Sequence, residues 1–208
     1  MFNRSKNLGT RQMPKPATSE ISDNVLIQRI CESDTEAFEA LYKRYYPKLF
    51  QFILRVTRHL DQIEEIINDV MYVVWRRASS FQPETRASTW IFGIAYKKSL
   101  KSLSERQPGE HLELDDAADL IPGVEDSGLQ NLELEDWISV AFSKLSTDQR
   151  AVLELTYHQG LHYHEIAQIM DCPENTVKTR MFSARKKIKA LFPEFLPESN
   201  TGYRGNTL

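Results

Sequence analysis

Six cations, Lys178, Arg180, Arg185, Lys186, Lys187 and Lys189, fall within twelve residues, and no carboxylate occurs from Asn175 to Phe192. Cations at that density attract phosphate. Small polar side chains at the start of the same run, Asn175, Thr176 and Thr179, with Ser183 a turn further on, can reach base edges or phosphate oxygens. If three of the cations neutralise phosphates, log affinity falls by about 2.7 per log unit of salt, so this segment needs a second anchor near physiological ionic strength. A candidate lies upstream, where Arg86, Lys97, Lys98 and Lys101 surround Trp90, Phe92 and Tyr96. Interleaved aromatic and basic groups suit unstacked bases and single-strand backbone, although Trp90 taken alone reads equally well as core. Chemistry of other kinds finds little support. His158, His162, His164 and Glu165 cluster locally but lack the His-Glu-x-x-His spacing and a third ligand. Cys31 and Cys172 stand far apart with no Cys-x-x-Cys pair and are expected to be small apolar fillers. No cofactor, metal or catalytic residue is expected.

The charge distribution frames these clusters. The net charge of −3 over 208 residues conceals three blocks. Residues 1–103 carry +5, residues 104–136 carry −10, and residues 137–208 carry +2. Two mildly basic segments therefore flank a strongly acidic one, a pattern that mean charge hides. No apolar run reaches the length of a membrane span, and the N-terminus lacks the apolar stretch of a secretory signal, so a cytoplasmic protein is expected.

Helical periodicity supplies the elements that position the clusters. Residues 1–22, with Gly9, Pro14 and Pro16, read as a flexible leader. Asp34 is a candidate N-cap for a helix whose apolar residues run from Phe38 through Tyr45 and Leu49 to Val56; Pro47 is expected to kink or divide it. A second helix is expected from near Asp61, with Glu64 and Glu65 in its early turns, and a third from around Ser88. Residues 104–132, acidic and punctuated by Pro108, Gly109, Pro122, Gly123 and Gly128, read as a solvated linker. Periodicity resumes at Leu132. Ser146 and Gln149 fit a capping box, Gly160 closes that helix, and a short helix follows from Tyr163 to Met170. Pro173 then opens a long helix with an apolar stripe of Val177, Met181, Ala184, Ile188 and Leu191. A short helix, a tight turn and a longer helix with one buried stripe make a helix-turn-helix, which puts Lys178 and Arg180 on the exposed reader face. The fold class is all-α: two small helical domains joined by a flexible acidic linker.

The chain resembles the extracytoplasmic-function sigma factors of bacterial RNA polymerase. DTEAFEALY (34–42), IEEIINDVMYVVW (63–75) and STWIFGIA (88–95) are similar to region 2 of that family. LSTDQRAVL (145–153), EIAQIM (165–170) and PENTVKTRMFSAR (173–185) are similar to region 4. The resemblance implies region 2 over 23–103, an acidic linker over 104–132, region 4 over 133–192 and a tail over 193–208. It implies core-polymerase docking through Glu64, Glu65, Asn68 and Asp69. It further implies −10 contacts from Arg86, Trp90, Phe92, Tyr96, Lys97, Lys98 and Lys101, and −35 contacts from Asn175, Thr176, Lys178, Thr179, Arg180, Ser183, Arg185 and Lys186. Core RNA polymerase, promoter DNA and an anti-sigma factor, membrane-bound in one version, are the partners so implied. Two departures concern local structure. Asp171 stands where the family often has Gly, in a turn needing left-handed backbone that Asp tolerates, and His162 replaces a Ser-like cap, which weakens that helix start. The rival reading is a conventional helix-turn-helix regulator that never docks on polymerase; it leaves the acidic helix and the aromatic-basic cluster unexplained.

Overall fold

A computed structural model of the chain describes residues 21–105 and 140–191, and every regular element among them is a helix. The leader (up to residue 20), most of the acidic segment (106–139) and the tail from residue 192 lie outside the described residues. The start of the helix expected from Leu132 lies there too; its end is helical over 140–143.

The first group contains α1 (Asp23–Cys31), α2 (Thr35–Thr57), α3 (Ile63–Arg77), a 3-10 turn (Ala78–Ser80) and α4 (Ala87–Glu105). Ser22 caps α1 by accepting from the Val25 N–H. The α2 cap forms as expected: Asp34 accepts from the Ala37 N–H at 3.0 Å, and Arg29 donates to its other oxygen at 2.8 Å. The Ala37 bond, reinforced by Arg29, holds the Asp34 carboxyl below its ordinary value. α2 neither breaks nor divides at Pro47; it runs on to Arg58, whose left-handed backbone (φ 63°) returns its N–H to the Leu54 carbonyl. The packing of Leu41, Tyr45, Leu49, Phe52 and Ile53, all buried along one side, outweighs the one ladder bond that proline removes. α3 has no side-chain N-cap and begins at Ile63, two residues after the expected start. Glu64 and Glu65 in its first turn and Arg76 and Arg77 in its last both match the helix dipole. Phe92 of α4 closes the core of this group against Phe52 (5.2 Å between centroids) and Tyr45 (6.3 Å).

The second group contains α5 (Thr147–Tyr157), α6 (Tyr163–Met170) and α7 (Glu174–Leu191). Both halves of the Ser146–Gln149 capping box are present, at 3.1 and 3.3 Å. Gly160 takes φ 62°, just past the end of α5. His162 makes no side-chain cap at α6; instead Glu165 reaches back to accept from the His162 N–H at 2.8 Å. Asp171 adopts left-handed backbone (φ 49°), so the turn between α6 and α7 survives without glycine. The apolar stripe of α7 buries Val177, Met181 and Ala184 and half-buries Ile188, but Leu191 is exposed. Cys31 is exposed as well, at the last turn of α1, which corrects its reading as an apolar filler; Cys172 is half-buried.

The two groups pack on each other, α4 against α6 and α2 against α5. The Arg150 guanidinium, buried at the start of α5, donates from Nε and Nη2 to the Val56 carbonyl at 3.2 and 2.8 Å, and from Nη1 to the Leu145 carbonyl at 2.8 Å. Desolvation, with Arg58 nearby acting in the same direction, pulls Arg150 down to about 10. It remains a cation at neutral pH. A β-carbon at Gly93 of α4 would lie 4.0 Å from the Ile169 Cα of α6, so the two helix backbones approach closely there.

Two outcomes test the caps. Ser146→Ala lowers the unfolding free energy by about 1 kcal/mol, read as a lower urea midpoint at constant m; an unchanged midpoint would show that the capping box contributes nothing. The Asp34 contribution is linked to pH. Its folded value is depressed from 3.8, so the stabilisation is present above that value and fades as pH falls through the lower folded one. Asp34→Ala is therefore destabilising at pH 7, and thermal melts show the gap to wild type closing at strongly acidic pH. A gap that persists there means that the carboxylate charge is irrelevant.

Candidate nucleic-acid and docking surfaces

On α7, residues three and four apart share a face, so Lys178, Phe182, Arg185 and Lys189 line one stripe, with Asn175, Thr179 and Lys186 beside it. All seven are exposed. Phe182 is 70% exposed in the middle of the cations. Its exposure goes unread in the sequence, where a Phe beside Met181 looks like core; the stripe spacing of Lys178 and Arg185 around it is the signal that marks it. Lys178 pairs with Glu174 at 2.8 Å, a surface contact that DNA phosphate can replace. Arg185 lies over the Tyr157 ring at 5.6 Å and donates to its hydroxyl. Lys187 turns inward to Gln149. Thr176 and Ser183 are half-buried at the edge of the stripe.

Arg180 departs from its expected place. It is half-buried on the other side of α7, ion-paired with Asp148 of α5 and donating to the Cys172 sulfur at 3.4 Å. The exposed stripe holds Lys178 without it.

The α4 cluster also divides. Trp90, Ile94, Lys97 and Lys101 fall at spacings of four, three and four, on one face. Lys97 and Lys101 are exposed, and Trp90 is half-buried against Phe81, 5.3 Å between centroids. Arg86, just before α4, is 62% exposed. Phe92, however, is 1% exposed and belongs to the core, where no base can stack on it. Tyr96 is buried as well and donates to Asp148 at 2.6 Å. Its hydroxyl is raised well above the ordinary tyrosine range by burial first and by that carboxylate second. Lys98 reaches Asp69 on α3 at 2.6 Å.

The α3 face presents Glu65, Asn68, Asp69 and Tyr72, all exposed. Tyr72, 63% exposed and two turns beyond Glu65, is a large apolar group that the charge pattern of the sequence does not flag. Glu64 and Asn68 are held from α2, where the stacked rings of Tyr42 and Tyr46 (5.9 Å) donate to Asn68 and Glu64 respectively. The Glu64 bond pushes the Tyr46 hydroxyl up to about 12. Two tyrosines thus fix the orientation of an acidic helix face.

The histidines serve other ends. His158 lies 3.0 Å from the fully buried Glu154, His162 and His164 stack on each other at 5.7 Å, and Glu165 turns toward Thr89 and Arg86. No group of three or more potential ligands that could hold a metal ion occurs among the described residues.

Comparison with known proteins places both helical groups. Residues 41–108 match the family model for Sigma-70 region 2, and residues 135–188 match that for Sigma-70, region 4. The ECF RNA polymerase sigma-E factor of Haemophilus influenzae is 29% identical over 180 residues, covering 82% of this chain and 95% of that protein. Its counterpart in Escherichia coli is 30% identical over 181 residues, covering 82% and 94%. Two solved structures share the fold. CnrH in complex with the cytosolic domain of CnrY has a TM-score of 0.63 at 22% identity, over 84% of this chain and 99% of that one. The sigma factor RpoE of Bartonella quintana, in complex with the anti-sigma factor NepR, has a TM-score of 0.58 at 23% identity, over 72% and 92%. With both regions present in order and a relative matched along almost its whole length, the chain belongs to the ECF family of RNA polymerase sigma factors.

Proposed function

We propose that this sigma factor docks on core RNA polymerase through the α3 face and reads promoter DNA with α4 and α7. The observation that carries the reading is that regions 2 and 4 stand in order in one chain, each with the surface its task requires. Glu65, Asp69 and Tyr72 combine acidic groups with an aromatic anchor, which fits a basic partner helix on the polymerase, and Glu64 and Asn68 are pre-oriented beside them. On α4, Trp90, Lys97 and Lys101 face the −10 strand, and Arg86 flanks them; Phe92 supports that face from below. On α7, Lys178, Arg185 and Lys186 neutralise −35 phosphates, Asn175, Thr176, Thr179 and Ser183 reach toward base edges or backbone, and Phe182 offers an apolar contact to a thymine methyl. Region 2 spans 23–103 and region 4 spans 133–192, with the acidic segment as tether. The protein works in the cytoplasm as a promoter-reading subunit, not as an enzyme. An anti-sigma factor is a fitting regulator, since the sigma factor RpoE of Bartonella quintana, which shares the fold, is bound to the anti-sigma factor NepR. No helix among the described residues is long and apolar enough to cross a membrane.

The decisive experiment maps transcription start sites on host genomic DNA with core polymerase, with and without the chain. New start sites sharing two elements are expected; none would favour the conventional regulator. Glu65→Lys combined with Tyr72→Ala is expected to weaken core-polymerase binding in a pull-down by at least about tenfold, as loss of an aromatic anchor and a charge pair implies. Equal recovery removes α3 as the docking face. Lys178→Ala in the reconstituted holoenzyme is expected to lower the slope of log affinity against log salt by about 0.9 on promoter DNA. An unchanged slope means that Lys178 touches no phosphate.

A further inference from the structure

One cation of the α7 stripe is held from another helix. The Arg185 guanidinium lies over the Tyr157 ring, 5.6 Å from its centroid, and Nη2 donates to the Tyr157 hydroxyl. Tyr157 is the last residue of α5 and is 59% exposed, so the ring stands in solvent beside the stripe and not in the core. On the reading of α7 given above, we infer that Tyr157 is a positioning residue for promoter recognition. It holds Arg185 against one phosphate at the edge of the −35 major groove.

The length of α7 sets where Arg185 falls. At a rise of about 1.5 Å per residue, Arg185 lies about 15 Å along the helix axis from Asn175. The major groove is about 12 Å wide. With Asn175 and Thr176 at base edges, Arg185 therefore reaches the rim of the groove, where the acceptors are phosphate oxygens. The nature of its partner keeps the charge available there. Lys178 and Arg180 pair with the carboxylates of Glu174 and Asp148, each of which cancels a charge. A phenol is neutral, and its ring face and oxygen attract the guanidinium without cancelling it. The hydroxyl accepts through Nη2, which leaves the rest of the guanidinium fork to a phosphate. A long side chain held in advance also spares the rotamer freedom that binding would otherwise remove. Tyr157 suits that task because it has only two side-chain torsions and stands on a helix packed against α7.

The test uses the reconstituted holoenzyme on a promoter found by start-site mapping, with each phosphate along the −35 element replaced in turn by an uncharged methylphosphonate. The wild type is expected to lose affinity at a small set of positions, one of which disappears from the profile of Arg185→Ala. Tyr157→Ala should lower affinity about threefold to tenfold near physiological salt and flatten that same position, leaving the others as they are. Tyr157→Phe, which keeps the ring but not the hydroxyl, should fall between Tyr157→Ala and the wild type. Adding Tyr157→Ala to Arg185→Ala should cost less than about twofold more, because the residue acts through Arg185. If Tyr157→Ala loses helicity by circular dichroism, Tyr157→Leu, which keeps apolar bulk without a ring face or hydroxyl, takes its place. Full affinity in Tyr157→Ala, a loss that leaves the phosphate profile unaltered, or full additivity with Arg185→Ala overturns the inference. If Lys178→Ala and Arg185→Ala also leave the profile as it was, the reading of α7 as the −35 helix falls too. If they alter it while Tyr157→Ala does not, only the role of Tyr157 is lost.

Discussion

The structure depends on how Arg150 is accommodated. A guanidinium taken out of water carries a large desolvation penalty unless its donors are satisfied. Here the acceptors are the Val56 carbonyl, reached twice, the Leu145 carbonyl and Thr147 Oγ1. The Leu145 and Thr147 acceptors belong to the second helical group; the Val56 carbonyl belongs to the first. The side chain therefore cannot be fully satisfied inside its own group, and its burial ties α2 to α5. The same approach brings Glu154, fully buried, to within ion-pair distance of Arg55 and His158, although neither contact has hydrogen-bond alignment. Both charges are comfortable only while the groups stay together or while water reaches them.

Much of this architecture can be read from residue order because it is local. The caps at Asp34 and Ser146 each involve a side chain and a backbone N–H three residues on, so composition at two positions suffices. The left-handed turn at Asp171 follows from its place between two periodic stretches. The stripe of α7 is legible down to Ile188 for the same reason. It fails at Leu191 because burial there would need a neighbour, and no helix of the described residues covers that end.

What the sequence hides is tertiary. Trp90, Phe92 and Tyr96 look alike as aromatics near lysines, yet a helix turns them to different sides: Trp90 to its rim, Phe92 into Phe52 and Tyr45, and Tyr96 onto a carboxylate 52 residues away. Arg180 is one of six cations between Lys178 and Lys189, and what separates it from the exposed stripe is its place beside buried Val177 and Ala184 and its pairing with Asp148. Pro47 shows the opposite case, a strong local signal overruled because the buried side of α2 continues through it. Tyr72 and Phe182 escape notice since exposed apolar residues have no signature until the faces beneath them are known.

The contacts between the groups differ in kind from those inside them. Within each group most buried residues are apolar, and pulling its helices apart would expose Phe92, Ile67 or Val177 to water, so each group has reason to stay intact. Between the groups, much of what is shared is polar. The Asp148–Arg180 pair is partly exposed already, and Arg86 keeps most of its surface in solvent. Such pairs contribute on the order of 1 kcal/mol or less each, because water supplies nearly equivalent partners once they part. Arg150, Glu154 and Tyr96 give up hydration where the groups meet, a cost offset by the apolar surfaces that α4 and α6 bury there. The polar contacts fix the geometry of the packing, while a single apolar cluster that runs through both groups supplies burial beneath them.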